Sequence, residues 1–165
     1  MRRVLTTIAA LLAAACSASR LVPPGSPPAL KVPANERLSL EAFADGVQIY
    51  ECGTDRRWVF KAPEAQLADR DGRKIGTHYA GPTWEASDGS KVTGAIKARD
   101  NARSAQDIPW LLLAATSASG HGTLGRTRSI QRMDTVGGVP PSGPCTPGME
   151  TRVPYKATYY FYRRG

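Results

Sequence analysis

Histidine is nearly missing from this chain, with only His78 and His121 among 165 residues. A metal site built from several imidazoles is therefore excluded. Cysteine is almost as scarce. Of Cys16, Cys52 and Cys145, no two sit in a Cys-x-x-Cys spacing, so neither a thiolate metal site nor any other cofactor is called for. Long apolar runs are lacking beyond the first two dozen residues, which excludes a multi-span helical membrane protein. No Gly-x-Ser-x-Gly elbow surrounds Ser119 or Ser129, and no glycine pattern resembles a phosphate-cradling loop ahead of a helix. A Ser-His-Asp triad is not requested by any spacing. Acidic residues are outnumbered 14 to 22 by Lys and Arg, for a formal charge of +8. The composition is otherwise ordinary, 41% hydrophobic and 22% charged, and the length is that of one domain.

What is present begins with an address. Met1-Arg2-Arg3 gives a positive start, and Val4 to Ala15 forms an apolar run too short to span a bilayer comfortably. The run ends in Leu12-Ala13-Ala14-Ala15-Cys16. Small residues before a cysteine look like a bacterial lipobox, with residues 1–15 as leader and Cys16 as the lipidated first mature residue. Leu12 stands four before the cysteine, where three is preferred. The alternative is cleavage after small residues by the ordinary signal peptidase, giving a soluble exported protein. Either way the expected location is outside the cytoplasm: periplasm, outer-membrane lipoprotein or secreted. The only expected membrane partner is a lipid anchor at Cys16. Residues 16–35, with Pro23, Pro24, Pro27 and Pro28, read as an extended tether, and 36–165 as a single domain.

With Cys16 assigned to the leader, Cys52 and Cys145 remain, and an oxidising compartment favours their pairing. The bridge would close a loop of about 90 residues, worth roughly 4–5 kcal/mol at most. The basic residues cluster loosely at Arg56-Arg57, Arg126/Arg128/Arg132 and Arg163-Arg164. They read as a solvated surface, and export argues against a nucleic-acid partner.

Beyond the tether the hydrophobic pattern alternates far more often than it follows a helical period. Val153, Tyr155, Ala157, Tyr159 and Phe161 fall on one face of a strand. Ala62 to Leu67, with Pro63 near its start, reads as one helical turn, and Arg99 to Asp107 as a polar loop. Turn dipeptides recur at Asp45-Gly46, Asp71-Gly72 and Asp88-Gly89. The expected fold is all-β: an antiparallel sandwich or closed barrel of about eight to nine short strands.

The densest polar and aromatic stretch runs from Gly76 to Ser90. His78, Tyr79, Trp84 and Glu85 are its candidate ligand-binding residues. The favoured function is a binding module for a small molecule, glycan or envelope component, with Tyr79 and Trp84 as stacking walls. A second reading is a hydrolase or lyase using His78 with Glu85 or Asp88 as an acid/base pair. A third is a structural envelope protein in which the same residues merely fill the core.

Several strings together resemble a family: Gly46-Val47-Gln48-Ile49-Tyr50-Glu51-Cys52, Gly76-Thr77-His78-Tyr79-Ala80-Gly81-Pro82-Thr83-Trp84-Glu85, Ile108-Pro109-Trp110 and Tyr155-x-Ala157-x-Tyr159-x-Phe161-Tyr162. Over Leu38 to Tyr162 the chain is similar to DUF3455, an exported bacterial and fungal family of unknown function. The resemblance transfers no activity. It implies that Cys52 and Cys145 belong to the family pattern, and that His78, Trp84 and the Gly137-Gly138 loop share a surface.

Overall fold

The computed structural model describes Leu21 and residues 24–165. The leader at 1–15, the lipidation residue Cys16 and much of the tether lie outside them.

The chain is all-β, as its alternation predicts. Eight strands, each hydrogen-bonded to the next, close into one antiparallel barrel. They are β1 (Glu36–Cys52), β2 (Trp58–Ala68), β3 (Lys74–Tyr79), β4 (Thr83–Ala86), β5 (Lys91–Asp100), β6 (Trp110–Ser119), β7 (Ser129–Gly137) and β8 (Glu150–Arg164). Closure comes from the two longest strands. β1 and β8 pair from Glu36↔Arg164 to Glu51↔Glu150, so neither sheet edge is left open. Of the two architectures expected, the chain takes the barrel.

Strand parity decides what fills it. Several inward positions on β1 to β3 are small: Ala42, Ala44, Gly46, Ala65 and Gly76. Opposite them β4 and β8 supply large rings, Trp84, Tyr155, Tyr159 and Phe161, all essentially buried. Small against large is how a narrow barrel fits side chains to its taper. A Cβ at Gly46 would run into the carbonyl oxygen of Glu64, so only glycine allows β1 and β2 to approach there. Outward positions such as Glu41, Asp45, Glu64 and Gln66 are polar, the reverse of a lipid-facing barrel.

The two ends differ. At one end the loop between β6 and β7 folds inward. Leu124 is buried in the core, and its N–H donates to Ser90 Oγ at 2.9 Å. At the other end the Cys52–Cys145 disulfide, with Cα atoms 5.8 Å apart, ties the β7–β8 loop to the β1–β2 turn. The expected pairing of Cys52 with Cys145 is present.

Three sequence expectations change. Ala62 to Leu67 is not a helical turn but the middle of β2. Pro63 is tolerated because β3 pairs with β2 only from Ala65 onward, leaving one side of the strand without a ladder to break. Arg99 and Asp100 extend β5 and pair with Leu111 and Trp110. The last part of the tether is not free. Pro28–Leu30 forms a 3-10 turn, and Leu30 is fully buried against Met133, Tyr160 and Tyr162 on the barrel's outer wall. The Gln131 side-chain amide holds it by donating to the Leu30 carbonyl at 2.6 Å. The folded unit thus starts before residue 36.

Candidate functional site

The four residues singled out by sequence divide across the barrel wall. β3 and β4 form a hairpin in which His78 lies opposite Trp84 and Thr77 opposite Glu85. Because successive side chains alternate, His78 and Trp84 face the lumen, whereas Tyr79 and Glu85 face outward. The outer pair bond to each other, Tyr79 Oη donating to Glu85 Oε2 at 2.8 Å, with Lys91 Nζ 3.1 Å from the same oxygen. These contacts hold the Glu85 carboxyl below its ordinary range, the Tyr79 bond first and Lys91 second. Tyr79 is therefore not a wall of the lumen.

The acid/base pair is not assembled. His78 is inside the barrel and Glu85 outside it. Asp88 is at the opposite end, where it accepts from the backbone N–H of Ser90 at 2.9 Å and of Thr123 at 2.7 Å. Its carboxyl is held well down, first by the Ser90 hydroxyl and then by Thr123. Asp88 is a clasp between two turns.

His78 is 3% exposed and stacks on Trp84 at 4.3 Å between ring centroids, 8° from parallel. Tyr159 meets it edge-on at 5.1 Å. Nδ1 lies 2.8 Å from the Thr83 carbonyl oxygen. A carbonyl can only accept, so Nδ1 carries the proton and Nε2 is left as the acceptor. Burial pushes the imidazole down to about 3, Thr83 opposing and Arg132 assisting. His78 is neutral at neutral pH.

Arg132 is the residue that sequence reading misplaced. Grouped in sequence with Arg126 and Arg128, it parts from them in space. β7 pairs Arg132 with Tyr159 and with Leu111, both inward-facing, which puts the guanidinium in the lumen. Nε and Nη2 donate to the Pro109 carbonyl at 3.2 and 2.8 Å. No carboxylate pairs with it among the described residues. Its charge opposes the rise that burial imposes on Tyr50, Tyr155 and Tyr159. Arg132 is half-buried, and the Pro109 carbonyl answers part of its hydrogen-bonding capacity but not its charge.

Around it lie polar atoms without partners. Gln48 Nε2, Trp84 Nε1, Tyr155 Oη and Tyr159 Oη are buried with no hydrogen bond. Such atoms are uncommon, and each needs a water, an ion or a ligand. Gln48, His78, Trp84, Arg132 and Tyr159 together line a cavity of about 60 Å³. Phe60, Pro63, Pro82 and Ile96 continue the lining. Phe60 and Ile96 are 50% and 42% exposed, an apolar lip on a polar interior.

The Gly137-Gly138 loop borders this same region. Both glycines have positive φ, +70° and +85°. A Cβ on Gly138 would press on Ile108, Tyr155 and Gln48. The Gly138 carbonyl accepts from Tyr50 Oη at 2.7 Å, and Asp107 takes the Gly137 N–H at 2.7 Å. The loop is thereby fixed over the lumen beside Gln48 and Tyr155.

Sequence reasoning missed Gln48, Tyr155, Tyr159 and Arg132 as site residues. The signal was there: Arg132 shares parity with Ile130, and Gln48 with Gly46 and Tyr50. A charge or amide at an inward strand position is a question about what it binds.

A family model described as Protein of unknown function (DUF3455) matches residues 33–163. No curated protein and no solved structure matches the chain. The family match covers β1 to β7, all of β8 but its last residue, and both disulfide cysteines, and the chain belongs to the DUF3455 family.

Proposed function

We propose that this domain is a binding module whose lumen receives the anionic oxygen end of a small organic acid. The observation that carries the reading is Arg132, a half-buried guanidinium without a carboxylate partner among the described residues, which shares its cavity with the unpaired polar atoms of Gln48, Trp84 and Tyr159. Donors converging on one cation-lined space suit a carboxylate or phenolate. His78 Nε2 adds one acceptor, which suits a hydroxyl on the same ligand. The cavity of about 60 Å³ has room for a headgroup, while the body of the ligand would rest on Phe60, Ile96, Pro63 and Pro82. Ligand sites commonly combine such an apolar lining with a few placed polar groups.

The domain would do this outside the cytoplasm. The Cys52–Cys145 bridge suits an oxidising compartment, and lipidation at Cys16 would hold the domain to a membrane. A structural reading has one specific support: about 60 Å³ is also the volume of about two waters.

The experiment is a titration with octanoate and benzoate against the matched alcohols, read on the indole N–H resonance of Trp84. The acids should shift it and the alcohols should not. Arg132→Met should weaken the acids about tenfold or more, the scale of one lost charge-assisted contact, with the fold intact. No shift with either acid, or equal shifts with acid and alcohol, would leave a barrel holding only water.

A further inference from the structure

The opposite end of the barrel carries a second feature unconnected with the lumen. Three segments far apart in sequence meet there: the start of β1, the end of β8 and the β6–β7 loop. They bring Arg37, Arg126, Arg128, Arg163 and Arg164 around one open cleft of about 530 Å³. An adjoining hollow shares Arg126 and Arg163 and adds His121 and Thr123.

None of the five arginines forms an ion pair among the described residues, although ten such pairs decorate other parts of the surface. With 22 basic residues against 14 acidic ones some guanidinium groups must stay unpaired, and what marks this cleft is that five of them share one place. Here like charges are held together, which costs stability unless an anion answers them. Gly165 also lines the cleft, whose charged lining is otherwise arginine. The wall includes Thr127, 2% exposed, whose hydroxyl is buried without a partner.

We propose that this cleft is a binding site for a ligand carrying two or more phosphoryl groups. Guanidinium forks match phosphate oxygens in paired bonds, and five of them exceed what a single carboxylate can use. The phosphoryl groups have two sources, a free diphosphate-type compound or the headgroups of an anionic bilayer. The chain entering the barrel lies at this end, since Pro24 and Ser26 sit beside Ala34 and Glu36. A tether would thus bring the arginines toward a membrane.

The test uses the full-length protein and two probes. Inorganic pyrophosphate is titrated by calorimetry. Vesicles of phosphatidylglycerol in phosphatidylcholine are compared with phosphatidylcholine alone by co-sedimentation. Arg126→Gln/Arg128→Gln should weaken binding about tenfold or more, as expected for lost charge-assisted bonds. Lys97→Gln/Arg99→Gln, which removes the same charge from β5, should change it less than about twofold, the effect of net charge alone. Pyrophosphate binding with that pattern identifies a free ligand, and vesicle binding alone with that pattern identifies the lipid. The proposal is overturned if neither probe binds, if both double variants weaken binding equally, or if sulfate binds as tightly as pyrophosphate.

Discussion

The two ends of this barrel are made by the same eight strands and carry opposite chemistry. At the disulfide end an apolar lip, Phe60 and Ile96, stands over a small cavity lined by Gln48, His78 and the half-buried cation Arg132. At the other end the lumen is plugged by Leu124 and the outside is ringed with arginines. A closed barrel has no edges and little freedom along its staves, so its variation is pushed into the loops and the last inward residues of each strand. The difference between the ends teaches where to look for function. One end keeps unpaired donors inside. The other keeps unpaired charge outside.

The comparison can be broken most forcefully at the disulfide. Cys52→Ala/Cys145→Ala releases a crosslink spanning 93 residues of sequence, and should cost about 4 kcal/mol of unfolding free energy in urea. Hydrogen exchange should show the loss first in residues 138–149, with amides near Leu124 still protected. Equal loss at both ends would mean that the ends are not independent. Leu124→Ala should be next, at roughly 3 kcal/mol, the usual cost of a leucine-sized cavity. It should leave carboxylate binding in the lumen unchanged.

His78 gives a pH-dependent probe of the lumen. Unfolded, its imidazole returns to about 6.5, whereas the folded protein keeps it unprotonated down to about 3. The unfolded chain then binds the extra proton, so this residue's contribution is complete above about 6.5 and is lost as pH falls toward about 3. Melting temperatures of His78→Gln should fall less steeply across that window than those of the parent protein. Identical slopes would place His78 in contact with solvent. The smallest effect belongs to the outer wall. Glu85→Gln removes a surface carboxylate bonded to Tyr79 and Lys91, and should cost under about 1 kcal/mol with no change in lumenal affinity. A large loss of affinity would return Glu85 to the site.

Much of the scaffold was legible because strand parity is a local property. Tyr155, Ala157, Tyr159 and Phe161 alternate in sequence and line the lumen in space. The same rule could have divided His78 and Trp84 from Tyr79 and Glu85, since His78 and Tyr79 have opposite parity on β3, as Trp84 and Glu85 do on β4. Instead, nearness in sequence made four residues look like one site. Pro63 misled for a related reason. A proline excludes a strand only where both sides are paired, and pairing with β3 stops at Ala65. The buried face of the tether was hidden too, because Leu30 sits among prolines and glycine with no periodicity to betray it.

By itself the sequence determined a β fold, an oxidisable cysteine pair and the family, because alternation, cysteine number and local strings are written along the chain. Closure of β1 onto β8 was a decision of the tertiary structure. So was the separation of Arg132 from Arg126 and Arg128: one turned inward to face His78 and Tyr159, the others gathered with Arg37 and Arg163 at the far rim. The reason is that a side chain's direction follows from its own strand, whereas its neighbours come from strands elsewhere in the chain, and only the closed register brings them together.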